Sequence, residues 1–101
     1  MQRSSRMPTL SGKETVILEL LLEGHEMYGL ELVGASRRRL KRGTVYVTLQ
    51  RMEEKGYVQS RTEAGEGAPG LPRRLYKATA SGRRLFDVWT TVRAKLSLES
   101  A

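Results

Sequence analysis

Gly43-Thr44-Val45-Tyr46-Val47-Thr48-Leu49-Gln50-Arg51-Met52-Glu53-Glu54-Lys55-Gly56-Tyr57-Val58 reads as one short helix with a stop, followed by the first residues of a strand. Val45, Leu49 and Met52 recur at helical spacing, Glu53 and Glu54 continue the helix, and Gly56 suits the left-handed position that commonly closes one. At about 100° per residue those apolar side chains cluster on one side. Thr44, Val47, Gln50 and Arg51 fall roughly opposite, with Tyr46 and Thr48 on the flanks. Hydroxyls, an amide, a guanidinium and a branched apolar side chain are the groups that read a DNA major groove, where Arg pairs with guanine, Gln with adenine and Val meets a thymine methyl. A solvated helix surface has the same composition, so the flanking sequence must decide.

Immediately upstream, Arg37-Arg38-Arg39-Leu40-Lys41-Arg42 places five basic residues in six positions. Such a run is either a solvated charge cluster or a set of phosphate clamps that position the next helix without reading sequence. Beside a polar reading face, Arg39, Lys41 and Arg42 are expected to be clamps. Downstream, Tyr57 to Thr62 carries β-formers, Ala64 to Pro72 is a glycine- and proline-rich loop, and Arg73-Arg74-Leu75-Tyr76-Lys77 returns as a second strand. The expected product is a β-hairpin with a long tip.

Working outward again, Ser11-Gly12-Lys13-Glu14 has the form of a capping box. Val16, Ile17, Leu18, Leu20, Leu21 and Leu22 follow it as a broadly buried helix that ends at Gly24-His25. Met27 to Gly34 reads as a second, shorter helix with Leu30 and Val33 or Met27 inward; a close approach to another helix would explain a glycine within it. Thr79, or Ser81, caps a last helix in which Leu85, Val88 or Trp89, Val92 and Leu96 form a seam only about two heptads long, too short to be stable alone. It must pack on its own domain or on a partner helix. The polar lead-in 1–10, a winged helix-turn-helix over 11–78 and a C-terminal dimerisation helix over 79–101 make up the expected organisation.

With 101 residues the chain has room for one domain, whose modest core gains from oligomerisation. Formal net charge is +7, and thirteen basic against four acidic residues lie between Ser36 and Arg84, so the excess sits wholly in the middle. That distribution suits a segment built to meet a polyanion. There is no cysteine, hence no disulfide framework, no cysteine-type zinc site and no thiol nucleophile. The start lacks the apolar run of a signal peptide and no stretch approaches the roughly 20 apolar residues that span a bilayer. A soluble, cytoplasmic protein without membrane association is expected. His25 stands alone beside Glu26, and Glu53 and Glu54 lie about 100° apart on a helix, so neither group suits a metal site or a catalytic pair. No phosphate loop, nucleophile elbow or metal spacing appears. The expectation is a protein that is not an enzyme and carries no cofactor.

Three helices, the third preceded by a basic run and followed by a hairpin with arginines on its return strand, give the order of a winged helix-turn-helix, a mainly α fold with a small β-hairpin. In that arrangement the third helix enters the major groove and the hairpin reaches the backbone or minor groove beside it. Gly43-Thr44-Val45-Tyr46, Leu49, Arg51-Met52-Glu53 and Gly56-Tyr57-Val58, followed by Arg73-Arg74-Leu75-Tyr76, Thr79 and Gly82, resemble the PadR family of bacterial transcriptional regulators. The likeness covers about Leu10 to Leu96 and is closest to smaller members with one short C-terminal helix. Val47 stands where the family usually has proline, and Ala78 where it often has leucine.

The resemblance implies a homodimeric repressor joined largely through C-terminal helices, each subunit placing its third helix in one half of a pseudo-palindromic operator on double-stranded DNA. It implies helix contacts by Thr44, Tyr46, Thr48 and Arg51 and wing contacts by Arg73 and Arg74; the reading of the residues adds Val47 and Gln50. Leu85, Val88, Trp89, Val92 and Leu96 would form the dimer seam. In some relatives aromatic residues near that interface meet a planar inducer, which makes Trp89 a candidate ligand contact. The rival reading is a winged-helix protein-interaction module with a basic docking surface, since fold does not settle function. Its sign would be an apolar or acidic outer face on the third helix, and here that face is polar to basic. Sequence-tolerant RNA binding would use stacking platforms, for which only Tyr46, Tyr57 and Tyr76 are available.

Overall fold

A computed structural model describes residues 9–63 and 73–100, with side chains to 98. Residues 1–8 of the expected lead-in, and the loop from Ala64 to Pro72, lie outside the described residues. The elements run α1 (Gly12–Gly24), β1 (Met27–Tyr28), α2 (Gly29–Ala35), α3 (Arg42–Glu54), β2 (Val58–Glu63), β3 (Arg73–Ala78) and α4 (Ala80–Ser100). The fold is mainly helical with a small antiparallel sheet, as the sequence predicts.

Local chemistry sets the ends of these elements. At the start of α1 the Glu14 N–H donates to Ser11 Oγ at 3.2 Å and the Ser11 N–H donates to Glu14 Oε1 at 2.8 Å, completing the capping box. At the end of α3 the Tyr57 N–H donates to the Met52 carbonyl at 2.9 Å and the Gly56 N–H to the Glu53 carbonyl at 3.0 Å. Gly56 has φ +84° there, so the stop foreseen in the sequence is a Schellman motif. Thr79 rather than Ser81 caps α4: its Oγ1 accepts from the Gly82 N–H at 3.0 Å while its hydroxyl donates to the Gly56 carbonyl at 2.6 Å. One threonine thus ties the start of α4 to the end of α3.

The second helix departs from expectation. Met27 and Tyr28 are not helical but form β1, pairing antiparallel with β3 through Met27 opposite Tyr76 and Tyr28 opposite Leu75. The hairpin therefore becomes a sheet of order β1-β3-β2, with Val58 opposite Ala78 and Glu63 opposite Arg73 across its other seam. Pairing with the edge of β3 satisfies backbone groups that a helical start would have left to water, and Glu31 Oε1 accepts the Tyr28 N–H at 2.8 Å to begin α2 there. Leu30 is 46% exposed while Leu32 is fully buried. The inward face of α2 runs through Gly29 and Leu32 toward the buried cap Ser36, while Val33 and Met27 are partly buried against the core as expected. Gly29 has a physical reason to be small: a Cβ there would stand 2.5 Å from Cε1 of Tyr46.

The core gathers Ile17, Leu18 and Leu21 of α1, Leu32, Val45, Leu49 and Met52 of α2 and α3, and Val58 and Tyr76 of the sheet. Each of the fully buried aliphatic side chains contributes about 1.5–3 kcal/mol relative to exposure. Between α2 and α3 the basic run folds as a turn pinned by buried Leu40, whose N–H donates at 2.9 Å to the buried Ser36 hydroxyl. Arg37 and Arg38 take positive φ of 55° and 71° in that turn.

Candidate nucleic-acid interface

The buried stripe of α3, Val45, Leu49 and Met52, presses its opposite face outward. Val47 is 49% exposed, and Thr44, Gln50 and Arg51 are also exposed, with Thr48 half-buried on the flank. Thr48 Oγ1 donates to the Thr44 carbonyl at 3.1 Å, which holds its side chain along the helix.

Two grooves border this face. On the wing side, Tyr28, Gly29, Leu30, Glu31, Tyr46, Arg73, Arg74 and Tyr76 surround a cleft of about 550 Å³. Tyr46, 46% exposed, lies over Gly29, and the Arg73 guanidinium sits 5.3 Å from the centre of the Tyr28 ring, a cation–π arrangement. On the other side, Ser11, Lys13 and Glu14 at the start of α1 face Thr44, Val47, Thr48 and Arg51 of α3 and its C-cap Lys55 across about 460 Å³. Lys55 Nζ is 3.1 Å from Glu14 Oε2, linking the two helices. Burial raises the Glu14 carboxyl, but the Ser11 N–H and the Lys55 ammonium together outweigh it and hold it below the usual carboxylate range.

The wing is fixed at its root by polar contacts. The Arg74 guanidinium donates to Ser60 Oγ at 3.1 Å, and the Ser60 hydroxyl donates to Glu53 Oε2 at 2.9 Å, so Glu53 serves the fold by tying α3 to the sheet. The Tyr28 hydroxyl donates to Glu63 Oε1, and that carboxylate pushes the phenol above its usual range. Arg61 meets Glu26 through two hydrogen bonds of 3.1 and 3.0 Å, which lowers the Glu26 carboxyl. Burial pushes up the Tyr76 phenol in the floor of the cleft.

The structure therefore gathers Thr44, Tyr46, Val47, Thr48, Gln50, Arg51, Arg73 and Arg74 around one helix. Lys41 and Arg42 lie at its N-terminal end, both exposed. Arg39 is turned partly toward its own turn, its Nε donating to the Ser36 carbonyl at 2.9 Å. Sequence reading missed Lys55, although it continues the Thr44, Thr48, Arg51 flank at helical spacing. It also missed Lys13 and Tyr28, whose places depend on how α1 and β1 dock.

The α4 seam divides. Leu85, Phe86 and Trp89 pack against the core of their own domain, whereas Val88 is 48% and Leu96 58% exposed, with Val92 half-buried between them. Trp89 Nε1 is buried without a hydrogen-bond partner among the described residues, and Trp89 lines neither groove. No cluster of His, Cys, Asp or Glu among the described residues is arranged to hold a metal ion, and no helix there is long and apolar enough to cross a membrane.

Comparison with known proteins adds a family. The model of the transcriptional regulator PadR-like family matches residues 17–88. A PadR family transcription regulator from hypervirulent Clostridium difficile R20291 is 26% identical, with a TM-score of 0.68 over 90% of this chain and 100% of its own. A transcriptional regulator from Clostridium thermocellum is 25% identical, TM-score 0.66, over 86% of either chain. Bacillus subtilis PadR, solved in complex with operator DNA, shares the fold at 21% identity and TM-score 0.71; the match covers 83% of this chain and 49% of that one. No curated protein sequence matches.

Proposed function

The chain belongs to the PadR-like family of transcriptional regulators, which are not enzymes, and from that premise we propose that it is a cytoplasmic homodimeric repressor that binds a pseudo-palindromic operator. The observation that carries this reading is the outer face of α3. Exposed Val47, Gln50 and Arg51 can reach base edges there, and Arg73 and Arg74 of the wing stand beside Tyr46 on the flank of the same helix. Side chains of these types distinguish guanine, adenine and thymine in the major groove, and cations beside them set register on the phosphates. The exposed side of α4 around Val88 supports pairing of two copies. Two-fold symmetry then places half-sites about 34–36 Å apart or a multiple of that distance. Occupying the operator excludes polymerase, which accounts for repression without any catalytic group.

The test is fluorescence anisotropy with a labelled duplex from upstream of the protein's own reading frame against a scrambled duplex, at several salt concentrations. A preference of about a thousandfold or more is expected for specific recognition. Equal, steeply salt-dependent binding to both duplexes would show that this DNA is not the operator, and absence of binding at low salt would overturn the reading.

A further inference from the structure

The reading above assigns the outer face of α3 and the wing to DNA and leaves the start of α1, across the groove from Thr44, Val47, Thr48 and Arg51, without a role. A duplex that admits a helix into its major groove, about 12 Å wide, presents a phosphodiester strand on each side of that helix. On the wing side Arg73, Arg74 and Tyr46 meet one strand. We propose that the groove between the start of α1 and α3 seats the other strand, with Lys13 as its clamp and the Glu14–Lys55 pair limiting its grip. This inference rests on α3 entering the major groove.

The groove has the chemistry of a phosphate seat with one feature out of place. Lys13 is exposed on its wall and makes no ion pair among the described residues. Thr44 and Thr48 line the facing wall with hydroxyls that can turn from the helix backbone to a phosphate oxygen. The feature out of place is Glu14, an anion whose side chain is only 10% exposed but which lines the same groove. A bare carboxylate there would repel a phosphate. Lys55, half-exposed and 3.1 Å away, cancels it. The pair is neutral, so a cation correctly placed for the backbone is withheld from it, and one lysine does the clamping where two are present.

This arrangement makes a prediction of unusual sign. Gln serves as well as Glu at the third position of a capping box, so Glu14→Gln keeps the hydrogen bond to Ser11 and the side-chain size while freeing the Lys55 charge. Each phosphate contact contributes about 0.9 to the slope of log affinity against log salt, or about eightfold in affinity at about 0.1 M salt. Glu14→Gln should therefore bind duplex DNA about eightfold more tightly at that salt and steepen the slope by about 0.9. Lys13→Ala, at an exposed position that leaves folding intact, should bind about eightfold more weakly and flatten the slope by the same amount.

Anisotropy titrations of wild type, Lys13→Ala, Glu14→Gln and Arg73→Ala over a salt series provide the readout. An unchanged slope in Lys13→Ala, with Arg73→Ala still flattening it, overturns the second seat while the DNA-binding reading stands. An unchanged or flatter slope in Glu14→Gln overturns the restraint assigned to the Glu14–Lys55 pair. Salt-independent or absent binding by the wild type overturns this inference together with the reading it rests on.

Discussion

Arg51 and Arg73 carry the same charge on two different kinds of support. Arg51 is one turn from the end of α3 on the exposed face, whereas Arg73 rests on the Tyr28 ring at the loop end of β3. In the proposed complex the first would meet base edges and the second the backbone. Arg51→Ala should cost about 1–3 kcal/mol on operator DNA and much less on random DNA, while Arg73→Ala should weaken both and reduce the salt slope by about one. Parallel titrations on the two duplexes check this, and equal losses for Arg51→Ala would remove its base-reading role. Two glycines separate binding from stability in the same way. A Cβ at Gly29 meets the outer end of the Tyr46 ring, which can swing toward solvent, so Gly29→Ala should leave the melting temperature nearly unchanged yet weaken DNA binding. A Cβ at Gly82 meets the Tyr57 carbonyl, with its carbon at 3.0 Å, and backbone cannot swing away. Gly82→Ala should destabilise by about 1–3 kcal/mol, a fall of roughly 4–8 °C per kcal/mol in a domain of this size, measured by thermal melting.

At the scale of the element, the start of α1 carries a pH dependence. Its folded carboxyl at Glu14 titrates below the ordinary value because the Ser11 N–H and Lys55 outweigh burial. The stabilisation is therefore fully present above the ordinary carboxylate pKa and is lost as pH falls through the lower, folded value. Melting curves from neutral pH down to pH about 3 should show the wild type losing stability through this window, with Glu14→Gln flatter across it. A variant that tracks the wild type would show that other carboxylates carry the acid sensitivity. The turn before α3 works differently. Its fixed point is buried Leu40 hydrogen-bonded to Ser36; Arg39 is tied to the Ser36 carbonyl, while Arg37 and Arg38 are exposed at positive φ.

For the whole molecule, the decisive element is α4, 21 residues long and so about 30 Å. Its first turns belong to the domain core through Leu85, Phe86 and Trp89, while Val88 faces solvent. A carboxylate at position 88 would remain hydrated in a single subunit and would be buried in a pair. In the proposed homodimer, Val88→Glu should therefore leave the fold intact and shift sedimentation from dimer toward monomer. It should weaken binding to a two-half-site operator far more than to one half-site, because joint occupancy raises effective concentration without new contacts. A variant that sediments as the wild type would place the interface elsewhere.

The sequence by itself determined the elements whose signals are local. Ser11 and Glu14 sit three residues apart and cap each other, Gly56 stops α3 because its φ is left-handed, and the period of Val45, Leu49 and Met52 fixes which face of α3 is turned out. The family likeness followed from those same residues. Tertiary structure alone decided what depends on a neighbour distant in sequence. Met27 and Tyr28 became a strand because β3 offered an unpaired edge. Leu30 turned outward and Gly29 inward because Met27 and Tyr28 joined the sheet and shifted the start of α2. The apolar seam of α4 divided between its own core and the surface because α1 and the sheet cover only one side of it. Lys13 and Lys55 came to share a groove because α1 packs beside α3, a juxtaposition no spacing within either segment encodes.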